Sequence, residues 1–264
     1  MKEQIQARLP ADHPWRDHIL VYDTLPSTND LAKTLARRGA PQGTVILARN
    51  QTQGRGRMGR SFHSPRDCGI YMSLILRPNC PAKELMHLTS AVGLALCRAV
   101  EAATGLRPGI KWINDLVYQK RKLGGILTEL GFGPEGLVSY AVIGIGINCL
   151  QRAEDFPPEL GEIAASLAMF CPEAPDMNAL AAQLLLCLED MSRRLSDKAS
   201  ILEACRQRCV TLGQPVVIQR NNQRLEALAV DLDEEGGLIL RFADGREETV
   251  TAGEVSVRGM YGYL

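Results

Sequence analysis

The stretch RNQTQGRGRMGRSFHSPR, residues 49–66, carries Arg49, Arg55, Arg57, Arg60 and Arg66 and no acidic residue. Guanidinium forks bind phosphate and carboxylate oxygens bidentately, and Gly54, Gly56 and Gly59 between them let backbone N–H groups approach the same anion. The whole chain has 30 Lys+Arg against 30 Asp+Glu, a net of zero, so a loop at +5 leaves 0 − 5 = −5 on the rest. The segment reads as an anion grip, with a solvated basic loop as the plainer alternative. Gly54-x-Gly56-x-x-Gly59 also has the spacing of a dinucleotide fingerprint, and Gly54 to Ser61 that of a phosphate loop with Arg60 in place of Lys. Both need a helix to open at the last glycine and offer its N-terminus to phosphate. Phe62-His63-Ser64-Pro65 is turn-like instead, so the grip is a loop able to fold over its ligand.

A second constellation is KWINDLVYQKRKLGGILTEL, residues 111–130. Asn114 and Asp115 offer an amide and a carboxylate where a strand ends or bends. They could orient a triphosphate and its Mg²⁺, or form an ordinary turn pair. Lys122 lies across a tight hairpin beside Gly124 and Gly125, where small residues allow close approach to a ligand; in isolation it reads equally as a surface lysine. A third motif, Gly144-Ile145-Gly146-Ile147-Asn148, ends an apolar strand and either opens a slot for an apolar ligand or marks a bulge. None of the four His stands near a Ser or Cys in a nucleophile–base pattern, and there is no GxSxG, which argues against covalent hydrolase chemistry.

These residues need a framework. Strands are expected over 18–23, 43–48, 70–76, 109–112, 115–118, 124–132 and 137–147, and helices from Ser27 or Thr28 to Gly39, over 83–104, 158–171, 178–195 and 200–210. Past Thr211 there is no Cys and no Lys, and short alternating runs are separated by turn residues. About five short strands in such a stretch suggest a small barrel. The fold expected is α/β, a mixed sheet flanked by helices over 1–210 with a small β-barrel domain over 211–264. Balanced charge excludes a global field for nucleic acid or an acidic membrane. The longest uncharged run, Gly136 to Gln151, is 16 residues and broken by polar groups and glycines, too short to span a bilayer. No secretory signal opens the chain, so a cytoplasmic location is expected, with the eight Cys as reduced thiols. Cys205 and Cys209 share a helical face, but too few ligands accompany them for zinc.

Taken in order, Ser27-Thr28-Asn29, Gln51 with Gly54-Arg55-Gly56-Arg57-Met58-Gly59-Arg60, Lys111-Trp112-Ile113-Asn114-Asp115 with Lys122-Leu123-Gly124-Gly125, and Gly144-Ile145-Gly146-Ile147-Asn148 resemble the biotin–protein ligases. Leu212-Gly213-Gln214-Pro215-Val216 and Gly253-Glu254-Val255-Ser256 are similar to the ends of that family's SH3-like barrel, so the resemblance covers about residues 20–258. It implies a class II synthetase-like fold and a two-step reaction. Biotin and ATP give biotinyl-5′-adenylate and pyrophosphate, and a lysine of a biotin carboxyl carrier protein then takes the biotinyl group. It implies Ser27, Thr28, Asn29, Gln51, Gly54, Arg55, Tyr71, Lys122, Gly124, Gly125, Gly144 and Gly146 for biotin. For ATP it implies Arg57, Arg60, Phe62, Lys111, Asn114, Asp115 and Asn148, with Asp115 toward Mg²⁺ and Lys122, Arg55 and Arg57 as the catalytic cations. Ile113 replaces the usual Pro and Phe62 a Trp. Only 26 residues precede Ser27, which leaves no room for a repressor's winged helix. A soluble ligase without nucleic-acid or membrane partners, and able to form a homodimer, is expected. The rival readings are a lipoate or octanoate ligase, an inactive biotin sensor that lacks the chemistry Lys122 supplies, and an Arg-Gly grip for single-stranded nucleic acid. The last lacks an aromatic stacking platform in a chain that is 5% aromatic.

Overall fold

A computed structural model describes residues 1–220, 223–251 and 256–259. A short helix α1 (Lys2–Gln6) seats Ile5 against the core. Strands β1 (Ile19–Leu25) and β2 (Val45–Gln51) run parallel, joined through helix α2 (Thr28–Arg37). Strands β3 (Gly69–Leu76), β4 (Gly109–Lys111), β5 (Asp115–Tyr118), β6 (Arg121–Phe132) and β7 (Val138–Asn148) pair antiparallel, completing a seven-stranded mixed sheet in the order β1-β2-β3-β7-β6-β5-β4.

The side-chain period of two divides this sheet into faces with different tasks. Ile70, Met72, Leu74 and Leu76 of β3 and Ala141, Ile143, Ile145 and Ile147 of β7 face the main core, which is completed by α3 (Leu88–Thr104), α4 (Met177–Arg193) and α5 (Lys198–Arg208). The alternate residues Ile75, Tyr140 and Val142 pack with Ile46 against Ala32 and Ala36 of α2, which covers only part of the second face. Beyond α2 the register places Tyr71, Gly146, Gly125, Asp115 and Lys111 opposite one another, a row across five strands on that second face. The glycines keep the middle of the row low.

Helix α3 ends at Gly105, whose φ of 74° is the left-handed conformation a Cβ disfavours. With its lead-in, Ala82–Thr104, it is long and apolar enough to cross a membrane, but 72% of that window is buried among α4, α5 and the sheet. The helix expected over 158–171 does not form. Pro157, Pro158 and Gly161 limit it to short 3₁₀ turns, and the segment runs extended beside β6, where Lys122 N donates to Ile163 O and Ala165 N to Lys122 O. All eight Cys are free thiols, and no cluster of metal-ligating side chains occurs among the described residues.

The C-terminal strands β8 (Pro215–Arg220), β9 (Gln223–Leu232), β10 (Leu238–Arg241), β11 (Glu247–Val250) and β12 (Ser256–Gly259) make a separate antiparallel sheet, ordered β11-β10-β9-β8-β12. The expected Asn221-Asn222 turn and the residues Gly253 to Val255 lie outside the described residues. Polar contacts tie this sheet to the larger unit. Trp112 N donates to Thr211 Oγ1 at 2.9 Å and Trp112 Nε1 to Gly236 O at 3.1 Å, while Lys198 meets Glu235 and Arg206 meets Asp231.

Candidate active site

The first part of the site is the N-terminus of α2. Ser27 has extended backbone and caps the helix, its carbonyl accepting from Leu31 N, and Ser27, Thr28 and Asn29 are all buried. Thr28 donates through N and Oγ1 to Gln51 Oε1 at 2.9 and 3.1 Å, which leaves Gln51 Nε2 to donate to Ser64 Oγ at 3.0 Å. Ser73 Oγ, fully buried on β3, lies 2.8 Å from Thr28 Oγ1 and 2.6 Å from Asn29 Oδ1. Asn29 Nδ2 donates to Leu127 O and Glu129 Oε2. The amide orientations of Gln51 and Asn29 follow from these partners, so donors and acceptors are fixed before any ligand enters.

Gly144 and Gly146 are small because other side chains use their space. A Cβ on Gly144 would stand 2.2 Å from Asn29 Oδ1, and one on Gly146 2.5 Å from the Phe62 ring. Gly125 is open by contrast, with the nearest atoms of Lys122 at 3.4 Å from a notional Cβ. Gly124 belongs to the other face: paired with Leu116 and Ile147 it is turned toward the helices, so only Gly125 of that pair opens the site.

The 49–66 loop is folded back on itself, not continued into a helix. Phe62 N donates to Gly54 O and Gly56 N to Arg60 O, and Ser64 Oγ donates to Phe62 O. A Cβ on Gly54 would meet Phe62 O at 2.4 Å, so glycine is required for that closure. The fold-back lays Phe62 on Gly146 and edge-on to Tyr71, with ring centroids 6.5 Å apart. Phe62, expected beside ATP, thus lies against Gly146 and Tyr71, two of the residues expected to hold biotin. Tyr71 is 1% exposed, and its hydroxyl donates to Pro65 O at 2.8 Å, bracing the loop from below; burial pushes its pKa up.

Most of the loop's arginines are paired. Arg49 bonds Asp67, Arg66 bonds Asp23, and Arg55 bonds Asp30 of α2. The grip is therefore less cationic than composition suggests, because its counter-charges come from β1, α2 and the loop's own end. Arg60 is exposed, as is Met58 at the tip, with φ of 55°. Arg57 reaches inward: its Nη1 donates to Asn114 Oδ1 at 2.9 Å, and burial lowers its pKa while Asp115 partly restores it.

The second part of the site is the β5–β6 hairpin. Its two turn residues, Gln119 and Lys120, both have positive φ, 45° and 62°, the type I′ geometry that matches strand twist. A bulge between Leu116 and Val117 shifts the pairing so that Asp115 opposes Gly125 while Val117 opposes Lys122. Lys122 Nζ then reaches Asp115 Oδ1 at 2.6 Å, with side chains 26% and 15% exposed. Asn114 Nδ2 donates to the same Asp115 oxygen and to Ile126 O. The chain enters this corner through a cis Trp112–Ile113 peptide, and Lys111 is buried opposite Asp115. Asn148, expected to hold ATP, donates from Nδ2 to Ala165 O and accepts at Oδ1 from Gln151, so it braces the 149–166 segment where Ala165 N meets Lys122 O.

The structure brings Arg57, Asn114, Asp115, Lys122 and Gly125 to one corner and Ser27, Thr28, Asn29, Gln51, Phe62 and Gly146 to the adjoining one. Ser73, Ser64 and Glu129 were not foreseen. Ser73 had one signal, a lone serine in the apolar run IYMSLIL on the same strand face as Tyr71.

A polar, glycine-floored half-sheet roofed by an arginine loop, with a lysine–aspartate corner beside it, defines an acyl-activating ligase of the biotin/lipoate type. The Biotin/lipoate A/B protein ligase family matches residues 21–148, and the Biotin protein ligase C terminal domain matches residues 211–258. The bifunctional ligase/repressor BirA of Bacillus subtilis is 36% identical over 237 residues, covering 89% of this chain and 73% of that protein. The biotin–[acetyl-CoA-carboxylase] ligase of Mycobacterium tuberculosis is 32% identical over 247 residues, covering 91% and 89%. The Aquifex aeolicus biotin protein ligase solved in complex with biotin and ATP superposes with a TM-score of 0.78 at 27% identity, covering 91% of this chain and 98% of that one. The chain belongs to the biotin protein ligase family.

Proposed function

We propose that this protein is an ATP-dependent biotin–protein ligase that makes biotinyl-5′-adenylate and passes the biotinyl group to a lysine of a biotin carboxyl carrier protein. The observation that carries the reading is the corner where Arg57, Asn114, Asp115 and Lys122 meet within hydrogen-bond distance at the edge of Gly125. Condensing a carboxylate with a triphosphate brings two anions together, and unscreened repulsion at 4 Å is worth about 4 kcal/mol at an effective dielectric of 20. Lys122 and Arg57 are the cations placed to offset it, one from the hairpin and one from the loop. A biotin carboxylate oxygen attacks the α-phosphorus and pyrophosphate leaves; the carrier amine then attacks the acyl carbon, AMP leaves with the bonding pair, and the amine loses its proton.

In this reading the Thr28–Gln51–Ser73–Asn29 network holds the ureido ring, and Phe62 and the Gly125–Gly146 floor hold the apolar part. Arg55 and Arg60 complete the loop, and Lys111 and Asn114 orient the phosphates. Magnesium enters with ATP. The donor set fits an ion that takes most of its oxygens from phosphate and water, with Asp115 as the one protein carboxylate, and the ion would neutralise the leaving pyrophosphate. Residues 1–210 are the catalytic unit and 211–264 a C-terminal unit that grips it at Trp112. The preset polar network favours biotin over lipoate, since a ureido ring can exchange N–H and C=O hydrogen bonds with Thr28, Asn29, Gln51 and Ser73 and a dithiolane has neither group. The test is incubation with labelled biotin, ATP, Mg²⁺ and a biotin carboxyl carrier domain. Label on the carrier's lysine is expected; equal labelling by lipoate would favour the rival.

A further inference from the structure

A string of alternating charge runs from the loop over the first turns of α2 to β6, and its middle members have no part in the chemistry above. Arg55 of the loop bonds Asp30; Asp30 Oδ1 lies 3.0 Å from Lys33 Nζ; Lys33 Nζ lies 2.8 Å from Glu129 Oε1; and Glu129 Oε2 accepts from Asn29 Nδ2 at 2.9 Å. Lys33 is the middle member, its side chain 19% exposed against 45% for Arg55 and 49% for Asp30. It belongs to α2, yet it contacts β6 directly and the loop through Asp30.

The geometry points to Lys33 as a positioning residue that registers the Arg55 loop on the biotin-binding end of α2. This rests on the proposed ligase reading. Asp30 and Glu129 both stand beside a site that must accept anions, and Lys33 neutralises the two together. With Lys33 in place, Glu129 turns its second oxygen to Asn29 and fixes that amide over Gly144, while Asp30 keeps an oxygen on Arg55. Without it, two carboxylates, Asp30 on α2 and Glu129 on β6, face each other with only the Asp30-bound Arg55 beside them among the described residues. Their repulsion turns Asp30 aside, the Asp30–Arg55 bond that holds the loop weakens, and Glu129 no longer anchors Asn29. Side chains three apart on a helix are neighbours, so the device is built into the spacing of Asp30 and Lys33. Arg57 and Lys122 hold Asn114 and Asp115 and lie outside this string.

The test compares wild type, Lys33→Met and Lys33→Arg by steady-state adenylate formation and by trypsin cleavage within residues 55–60, with and without biotin. Lys33→Met is expected to raise the KM for biotin about three- to tenfold, with kcat and the KM for ATP within twofold, a pattern of lost ground-state binding. It is also expected to speed loop cleavage and weaken biotin's protection, and Lys33→Arg is expected to restore both. Wild-type KM and cleavage in Lys33→Met would overturn the inference. So would an equal loss for biotin and ATP with a lowered Tm, which marks a merely structural role. Absence of adenylate in the wild type would instead refute the ligase reading itself.

Discussion

Replacing Lys122 by Ala tests the corner on which the chemistry depends. The ammonium sits 2.6 Å from Asp115 Oδ1 and is partly buried, so it is held in place and need not be recruited. Two anionic oxygens about 4 Å apart repel by about 4 kcal/mol at an effective dielectric of 20, which bounds what one cation between them can offset. Loss of one preorganised donor costs about 10²–10³ in rate, or 2.7–4 kcal/mol, the same range by a separate route. Lys122→Ala should therefore slow biotin-dependent pyrophosphate release by that factor. The fold should survive, because the hairpin ladder is intact and Asp115 keeps Asn114 Nδ2 as a donor and the Arg57 charge nearby when the ammonium is removed. The assay is biotin-dependent exchange of labelled pyrophosphate into ATP, with thermal unfolding as the control. Lys122→Arg keeps charge but not shape and should recover part of the loss. Near wild-type exchange in Lys122→Ala, with folding intact, would remove Lys122 from the mechanism and with it the screening argument.

The two kinds of glycine should respond differently to a single methyl. Gly144→Ala drives a Cβ to 2.2 Å from Asn29 Oδ1, and Asn29 is pinned by Ser73, Leu127 and Glu129; a loss of about 1–3 kcal/mol in denaturant unfolding is expected. Gly125→Ala meets nothing closer than 3.4 Å, so stability should hold while adenylate formation falls as the ligand's space is filled. Trp112→Phe keeps an aromatic ring but removes the indole donor to Gly236 O and leaves space in the core, costing about 1–3 kcal/mol; the KM for ATP should rise more than that for biotin, because Trp112 lies between Lys111 and Asn114. His87 and His13 are buried with pKa values below the usual 6.5, each chiefly through burial, so the unfolded chain binds more protons as pH falls. Stability should be full above the unfolded value and decline as pH drops below about 6.5, followed by Tm against pH; His87→Gln should flatten that decline.

Much of the site was legible because its chemistry is local in sequence. Asp115 and Lys122 lie seven residues apart around a two-residue turn, so a hairpin had to bring them close, although the bulge that aims them was not visible. The STN cap of α2 and the strand-end glycines could likewise be read from type and spacing. What escaped depends on partners distant in sequence. Asp23, Asp30 and Asp67 take up three loop arginines only after β1, α2 and the loop end converge. Phe62 falls on Gly146 because of a loop closure that no periodicity encodes, and Gly124 faces the helices because of that same bulge. The 158–171 segment carries apolar residues at helical spacing, yet its prolines and the open backbone of Lys122 recruit it as an extended strip.

The central claim is that this site joins biotin to AMP and keeps the product. The most direct measurement is to mix the protein with biotin, ATP and Mg²⁺, without any carrier, remove free ligands by rapid gel filtration and weigh what stays bound. Retained biotinyl-adenylate near one per chain, with matching pyrophosphate in solution, is the predicted result. A protein fraction free of acyl-adenylate, with ATP recovered intact, would contradict it.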